Sequence, residues 1–182
     1  QGLFFRKTPE ILQEPIEQSG VYEDINIPLR VVVLRSKDDD SVRTEKNVER
    51  LVENTDGLLH QAGISLYIDE LLFQYVEEET IQYFLNNPRE IFAQYVNIGD
   101  RRIYVFLMET LKGLNGIAFS GVQTVAVADY TTFRDYRTLA HEIGHVLGLS
   151  HTRNTDDLMY SGSGGIFLDE EEIETARSEA MR

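Results

Sequence analysis

The chain contains no cysteine among its 182 residues, which excludes disulfides and thiolate metal ligands. It has only four histidines, so few imidazoles are available for metal sites. Basic residues are also scarce, because 17 Lys and Arg stand against 31 Asp and Glu and give a net charge of −14. Phosphate contacts require clustered cations, so this balance argues against nucleic-acid binding. We interpret the acidic excess as a solvated surface.

Long hydrophobic runs are missing as well. No apolar stretch approaches the roughly 18 residues of a membrane span. No leader segment opens the chain, which leaves its compartment open, because a mature secreted protein would lack one too. A hydrophobic content of 42% and a charged content of 26% are ordinary for a globular protein. The length predicts one domain that buries a sizeable core.

One stretch of the chain carries most of the information about function: residues 141–151, which read H-E-I-G-H-V-L-G-L-S-H. His141 and His145 are four residues apart, so a helix would place both rings on one face, where they can bind one ion. Glu142 lies about 100° around such a helix from His141, displaced from ligand position but close enough to activate a water. His-Glu-x-x-His on a helix therefore predicts two zinc ligands and a general base.

The third histidine of this stretch requires the helix to end. On a continuous helix, His151 would lie about 15 Å further along the axis than His141, beyond ligand distance. Gly148 is the residue that can reverse the chain, because glycine adopts the left-handed conformation without cost. We therefore predict one zinc ion bound by His141, His145 and His151. Three protein ligands leave a fourth position for water, as catalytic zinc sites require.

The pattern H-E-x-x-H-x-x-G-x-x-H resembles that of the metzincin clan of zinc endopeptidases, and the following Leu158-Met159-Tyr160 is most similar to the matrixins. The resemblance implies that Met159 forms an apolar floor under the imidazoles without binding zinc. A plain core role for this methionine remains an alternative. Residues 115–119 resemble the matrixin edge strand above the cleft, and residues 168–173 resemble the start of the matrixin C-terminal helix.

The chain also departs from the usual matrixin pattern. Thr152 follows the third histidine where matrixins usually have serine, and Ser161 stands where they usually have proline. Only His60 remains outside the motif, which excludes the histidine-built structural zinc site of matrixins. The absence of cysteine excludes both a cysteine switch and the cysteine-rich archaemetzincin pattern. In astacins and serralysins a tyrosine at the position of Ser161 reaches zinc, so Tyr160 is not predicted as a ligand.

The resemblance implies an α+β, metzincin-like fold. We expect a twisted mixed β-sheet with an antiparallel edge strand over the cleft, two or more packed helices, an active-site helix, and a small irregular C-terminal subdomain that ends in a helix. The implied activity is zinc-dependent hydrolysis of peptide or protein substrates. The backbone of the edge strand would hold the substrate, and Tyr160 with the loop 161–167 would border the pocket past the cleaved bond. The edge-strand residues are Gly116, Ile117, Ala118 and Phe119.

Hydrophobic periodicity predicts the elements that surround this motif within one catalytic domain, 1–182, divided into subdomains 1–148 and 149–182. Strand, helix and strand in succession predict a parallel, right-handed βαβ unit. The predicted strands are 29–35, 64–69, 103–108, 117–119 and 124–128. The predicted helices are 48–62, 77–85, one from Asn87, one capped by Thr132 and one from Asp169. Residues 1–28 are expected to be an extended, wrapping segment.

Several further expectations accompany these elements. His60 is interpreted as a structural or surface histidine. Residues 38–40 are interpreted as a solvated acidic loop, so that a calcium ion is possible but unsupported. We expect a monomer, and the family resemblance implies a secreted or extracellular protein.

Three alternatives remain open on the sequence alone. A non-catalytic zinc-binding interaction module would use the same histidines but would not need Glu142. A zinc hydrolase with a narrow amide substrate would share the whole site. A zinc peptidase of another clan would take a distant glutamate as ligand and leave His151 unused.

Overall fold

A single mixed sheet organises the computed structural model, which describes residues 22–38, 40–86, 97, 99–162 and 164–182. The strands are β1 (Ile25–Arg35), β2 (Ile64–Tyr75), β3 (Ile103–Met108), β4 (Gly116–Phe119) and β5 (Thr124–Ala128). The helices of the described residues are α1 (Glu45–Leu59), α2 (Glu78–Asn86), α3 (Asp135–Val146) and α4 (Glu170–Ala180). The strand order is β2-β1-β3-β5-β4, and only β4 runs antiparallel to its neighbour. This is the predicted α+β fold with an antiparallel edge strand.

The central strands are apolar throughout because both of their faces are covered. Every residue of β3 and of β5 is buried, as are residues 31–34 of β1. Continuous apolar runs are typical of parallel strands that lie between two layers. β1 begins at Ile25, four residues before its predicted start. Pro28 is tolerated there because β1 at this point pairs with β2, and pairing with β3 begins only at Leu29.

The βαβ unit is confirmed in its parallel pairing, and its helix has well-defined ends. Thr44 caps α1 in a reciprocal capping box with Asn47, which satisfies main-chain donors at the helix start. A short 3₁₀ turn at His60–Ala62 follows the helix. Gly63, with φ of +62°, then turns the chain into β2. β2 runs six residues beyond its predicted end at 69, because it pairs with the full length of β1.

The sheet separates two apolar cores. The larger core lies between the sheet and the helices α1, α3 and α4, and it includes Leu139, Ile143 and Leu147 from the active-site helix and its end. The smaller core lies on the opposite face under α2, around Phe84 and Phe106. Side chains of β4 alternate between these two faces. Ala118 packs toward the larger core, whereas Ile117 and Phe119 pack toward the smaller one.

One predicted helix start is wrong. α3 begins at Asp135 after Arg134, without a side-chain cap, and Thr132 lies outside the helix. The reason is a competing partner, because the N–H and hydroxyl of Thr132 both donate to the side-chain oxygen of Asn115, at 2.9 and 3.1 Å. This bond ties the start of β4 to the entrance of the active-site helix.

Other expectations have different outcomes. The final helix begins as predicted, with Asp169 and Glu172 in a capping box. The helix predicted from Asn87 and the extended segment up to residue 21 lie outside the described residues. Within the described ranges, no helix combines the length and apolar character needed to cross a membrane. The subdomain division at 148 and the interpretation of residues 38–40 as a solvated acidic loop remain predictions.

Candidate active site

The active-site helix ends in a turn that carries the third histidine back. The Leu149 N–H donates to Gly144 O at 2.9 Å and the Gly148 N–H donates to His145 O at 3.1 Å. These two bonds define a Schellman motif, and Gly148 has the left-handed conformation that the motif uses, with φ of +82°. Helix α4 packs against this turn, because a Cβ built on Gly148 would lie 3.0 Å from Cγ of Glu179. Local sequence therefore reverses the chain, and the last helix supports the reversal.

Three imidazoles converge beside this turn. His151 Nε2 lies 3.2 Å from Nε2 of His141 and 3.1 Å from Nε2 of His145. These three residues form the group of potential metal ligands found among the described residues. Zinc–nitrogen distances of about 2.0–2.1 Å in a tetrahedral site place ligand nitrogens roughly 3.3 Å apart. The nitrogen spacing therefore fits one zinc ion, without help from a distant glutamate.

The opposite nitrogens of two rings have main-chain partners that fix their tautomers. His141 Nδ1 lies 2.8 Å from Leu158 O, and His145 Nδ1 lies 2.9 Å from Leu149 O. A carbonyl oxygen only accepts hydrogen bonds, so each Nδ1 carries the proton and each Nε2 keeps its lone pair. Burial lowers the pKa of His141 to about 4 and also lowers the pKa of His145. Both rings are therefore neutral near pH 7, which is the form that binds metals.

The Glu142 carboxylate lies between the active-site helix and the edge strand. Glu142 is 9% exposed. Burial raises the pKa of its carboxyl group to about 7, although the Arg137 guanidinium opposes this rise. A Cβ built on Gly116 would lie 2.8 Å from Cγ of Glu142, 3.0 Å from its Oε1 and 2.9 Å from Cγ2 of Thr138. Glycine at 116 thus allows the strand backbone to contact the carboxylate directly.

An open cavity of about 600 Å³ lies over the histidines. One side is β4, which we call the strand wall (residues 116–119). On the other side the lining continues through Leu149, Ser150 and His151. These residues begin the irregular segment after α3, and we call that whole segment, residues 149–168, the loop wall. The residues that line the cavity are Gly116, Ile117, Ala118, Ser120, His141, Glu142, His145, Gly148, Leu149, Ser150 and His151. Phe119 and Tyr160 do not line it, so their predicted contacts with a substrate remain predictions.

The loop wall lacks helices and strands among its described residues, apart from isolated bridges, and side chains hold it to the rest of the molecule. Gln61 accepts from Leu168 N–H at 2.8 Å and donates to Ile166 O at 2.9 Å. Met159 is buried with its sulfur against Gly144 of α3, where an added Cβ would approach within 2.5 Å. The methionine therefore packs against the helix that carries the first two histidines, and its role as an apolar floor under the imidazoles remains a prediction.

The sequence reading missed Arg137, which lies one helical turn before His141. It is 5% exposed and donates to three carbonyl oxygens of the loop wall: Gly165 at 2.9 Å, Leu158 at 2.9 Å and Tyr160 at 2.7 Å. One signal could have revealed it, because residues 137, 141 and 145 follow each other at a spacing of four on one helix face. A cation on that buried stripe needs acceptors nearby.

A model of the matrixin family matches residues 74–175, which is more than half of the chain and includes the whole candidate site. No curated protein matches the chain in sequence.

Solved structures with similar folds include two metallopeptidase relatives. Metalloproteinase-II from Bacteroides fragilis superposes with a TM-score of 0.51 at 17% identity, over 91% of this chain and 56% of its own. This chain therefore spans little more than half the length of that protein. Archaemetzincin from Methanopyrus kandleri superposes with a TM-score of 0.56 at 14% identity, over 85% of this chain and 97% of its own. At these identities the likeness establishes the fold.

Proposed function

The chain belongs to the matrixin family of zinc metallopeptidases, and from this we propose that it is an endopeptidase for extended polypeptide substrates. One observation carries the proposal. Three imidazole nitrogens at the spacing of zinc ligands lie beside the carboxylate of Glu142 in a cavity that is open along an edge strand. We propose that this open cavity receives a chain segment that continues past both of its ends, as cleavage within a polypeptide requires.

His141, His145 and His151 would hold a single zinc ion through their Nε2 atoms. Zinc held there would supply Lewis-acid chemistry, making water a stronger acid and the scissile carbonyl a better electrophile. The carbonyl oxygens of Leu158 and Leu149 orient two of the rings, as partners of metal-binding histidines commonly do.

Glu142 would move the proton of the reaction. Its carboxylate would accept the proton that the attacking water loses and later deliver it to the leaving amide nitrogen. Contact with Gly116 and Thr138 limits the positions that this side chain can take. A fixed carboxylate close to the bound substrate is what efficient proton transfer requires.

The strand wall would bind the substrate by strand addition. β4 is the edge strand of the sheet, next to β5, and its backbone from Gly116 to Phe119 would hydrogen-bond an extended peptide. On the opposite side, Tyr160 and the loop 161–167 would border the substrate past the cleaved bond. The bond from Thr152 N–H to Met159 O, at 3.2 Å, brings this part of the chain close to the segment that follows His151.

The variant Glu142→Ala tests the proposal. It should keep one zinc ion per chain and lose peptide hydrolysis by roughly 10²–10⁴-fold, the usual contribution of a general base. Metal analysis and a cleavage assay on a mixed peptide pool measure the two effects. Glu171→Ala is the matched control, because Glu171 is an exposed acid on α4 and its loss should leave hydrolysis unchanged.

The same assay separates the alternatives. Full activity of Glu142→Ala would contradict the assignment of the base. Stoichiometric zinc without cleavage of any peptide in the pool would favour a zinc-binding interaction module. Cleavage of only one narrow class of peptides would favour a specialised amide hydrolase.

A further inference from the structure

We propose that Arg137 is a positioning residue that clamps the loop wall onto the active-site helix and thereby orients the ring of His141. The inference rests on the proposed function, because it concerns the hydrogen bond that orients His141, one of the proposed zinc ligands. Arg137 itself is not among the residues that line the cavity and donates to main-chain carbonyls, so it is not a catalytic residue.

The guanidinium donates three hydrogen bonds to three separate carbonyl oxygens. Nε donates to Gly165 O, and the two hydrogens of Nη2 serve Leu158 O and Tyr160 O. These acceptors are spread over eight residues of the loop wall, whose described residues are joined by isolated main-chain bonds, such as Leu158 N–H to Phe167 O, and not by a helix or strand. A planar fork with several donors suits this task, whereas the single ammonium group of lysine cannot match the same geometry.

The link to the metal site is a shared acceptor. Leu158 O accepts from Arg137 Nη2 at 2.9 Å and from His141 Nδ1 at 2.8 Å. The orientation of the His141 ring therefore depends on where this one carbonyl is held. His145 differs, because its Nδ1 partner is Leu149 O, which the Schellman turn at the end of α3 places locally. Loss of the clamp should therefore disturb His141 more than His145.

A competing explanation is that Arg137 acts only through its charge. A buried cation near the histidines disfavours a second cation, so removal of the charge alone would tighten zinc binding. The clamp predicts the opposite sign. Two variants separate the explanations: Arg137→Lys keeps the charge without the fork, and Arg137→Met removes both while keeping most of the side-chain length.

The chain offers a matched control in Arg177 of α4. Its guanidinium also joins distant segments through carbonyls, at 2.8 Å to Ala62 O and 2.9 Å to Glu23 O. Unlike Leu158 O, neither of these carbonyls is a hydrogen-bond partner of His141 or His145. Arg177→Met should therefore lower the overall stability without changing the zinc site.

The experiment measures zinc affinity by chelator competition, and imidazole resonances by long-range ¹H–¹⁵N NMR of the metal-free protein. Both Arg137 variants should weaken zinc binding by about 10–100-fold, as loss of a ligand's outer hydrogen-bond support typically does. They should shift the His141 nitrogen signals more than those of His145. Arg177→Met should leave the affinity and both sets of signals unchanged. If Arg137→Met fails to fold, Arg137→Lys decides the question.

Three results would overturn the clamp: unchanged zinc affinity in Arg137→Lys, tighter binding in Arg137→Met, or an equal loss of affinity in Arg177→Met. These readouts do not require hydrolysis, so the two proposals can fail separately. A wild-type protein that binds zinc but cleaves no peptide would contradict the proposed function alone. An active peptidase whose zinc affinity is the same in wild type and in both Arg137 variants would contradict the clamp alone.

Discussion

The two walls of the cleft are built in different ways. The strand wall belongs to a sheet, so its backbone is fixed by the ladder of hydrogen bonds between β4 and β5. The loop wall is joined to the rest of the molecule by hydrogen bonds from individual side chains, including those of Arg137 and Gln61. When one residue of a ladder is substituted, the remaining ladder bonds still hold the backbone. In an irregular segment, one substitution can remove most of the bonds that hold a stretch of backbone in place. The loop wall should therefore be the more sensitive of the two to single changes.

The largest effect is expected at Gly165 in the loop wall. This residue is buried, and an added Cβ would overlap the main chain of Asp157, including its carbonyl oxygen. Main-chain atoms cannot rotate away, so Gly165→Ala should reduce the free energy of unfolding by about 3 kcal/mol or more. Urea denaturation measures this loss. Gly162→Ala is the control, because its added Cβ would meet the movable ring of Tyr160. Equal stabilities of the two variants would show that the loop wall is adaptable.

A smaller effect on the fold, but a specific one on catalysis, is expected in the strand wall. Gly116→Ala would push against Glu142 and Thr138, which provide the three atoms nearest to the added Cβ. We expect kcat to fall about 10–100-fold, because small displacements of reacting groups are costly, while KM and zinc affinity stay close to wild type. Gly121→Ala provides the control, because its added Cβ would meet no atom within 4 Å. A wild-type kcat in Gly116→Ala would mean that Glu142 can move freely.

The smallest effect concerns the start of α4, where Glu172 interacts with Asp157 of the loop wall, and it depends on pH. Burial, together with the neighbouring Asp157 and Asp169 carboxylates, raises the pKa of Glu172 from 4.5 to about 7. Between these values the folded protein holds a proton that the unfolded chain releases, so stability falls as pH rises through this interval. Glu172→Gln keeps the capping box and should remove this decline.

Thermal denaturation at pH 5 and pH 8 measures the change. The variant should resemble wild type in acid and be more stable at pH 8. Glu171→Gln, at an exposed neighbour on the same helix, should follow the wild-type profile. An identical pH profile for Glu172→Gln would mean that the carboxyl group ionises freely beside Asp157.

The same contrast explains what could be predicted from the sequence. Strands β3 and β5 were predicted with their correct bounds, because apolar runs between turns are a local signal. The convergence of three histidines was predicted from spacing and from Gly148, because the helix and its end are local as well. Both follow from residues close together in the chain.

Features that depend on distant partners were not predicted. Local spacing predicts Thr132 as a helix cap, but in the structure Thr132 donates to the side chain of Asn115, 17 residues away. Arg137 was overlooked because its acceptors lie 21 to 28 residues further on, in a segment without periodicity. The extension of β2 to Tyr75 depends on its pairing with β1. In each case a tertiary contact decided a structure that local preference left open.

The packing of α4 against Gly148 has a consequence for how the protein is made. Synthesis proceeds from the N terminus, so all three histidines are made before α4. Until Glu179 of α4 rests against that glycine, the bend that carries His151 is held by its own main-chain bonds alone. We therefore expect the capacity to cleave peptides to mature late in folding, once α4 has packed.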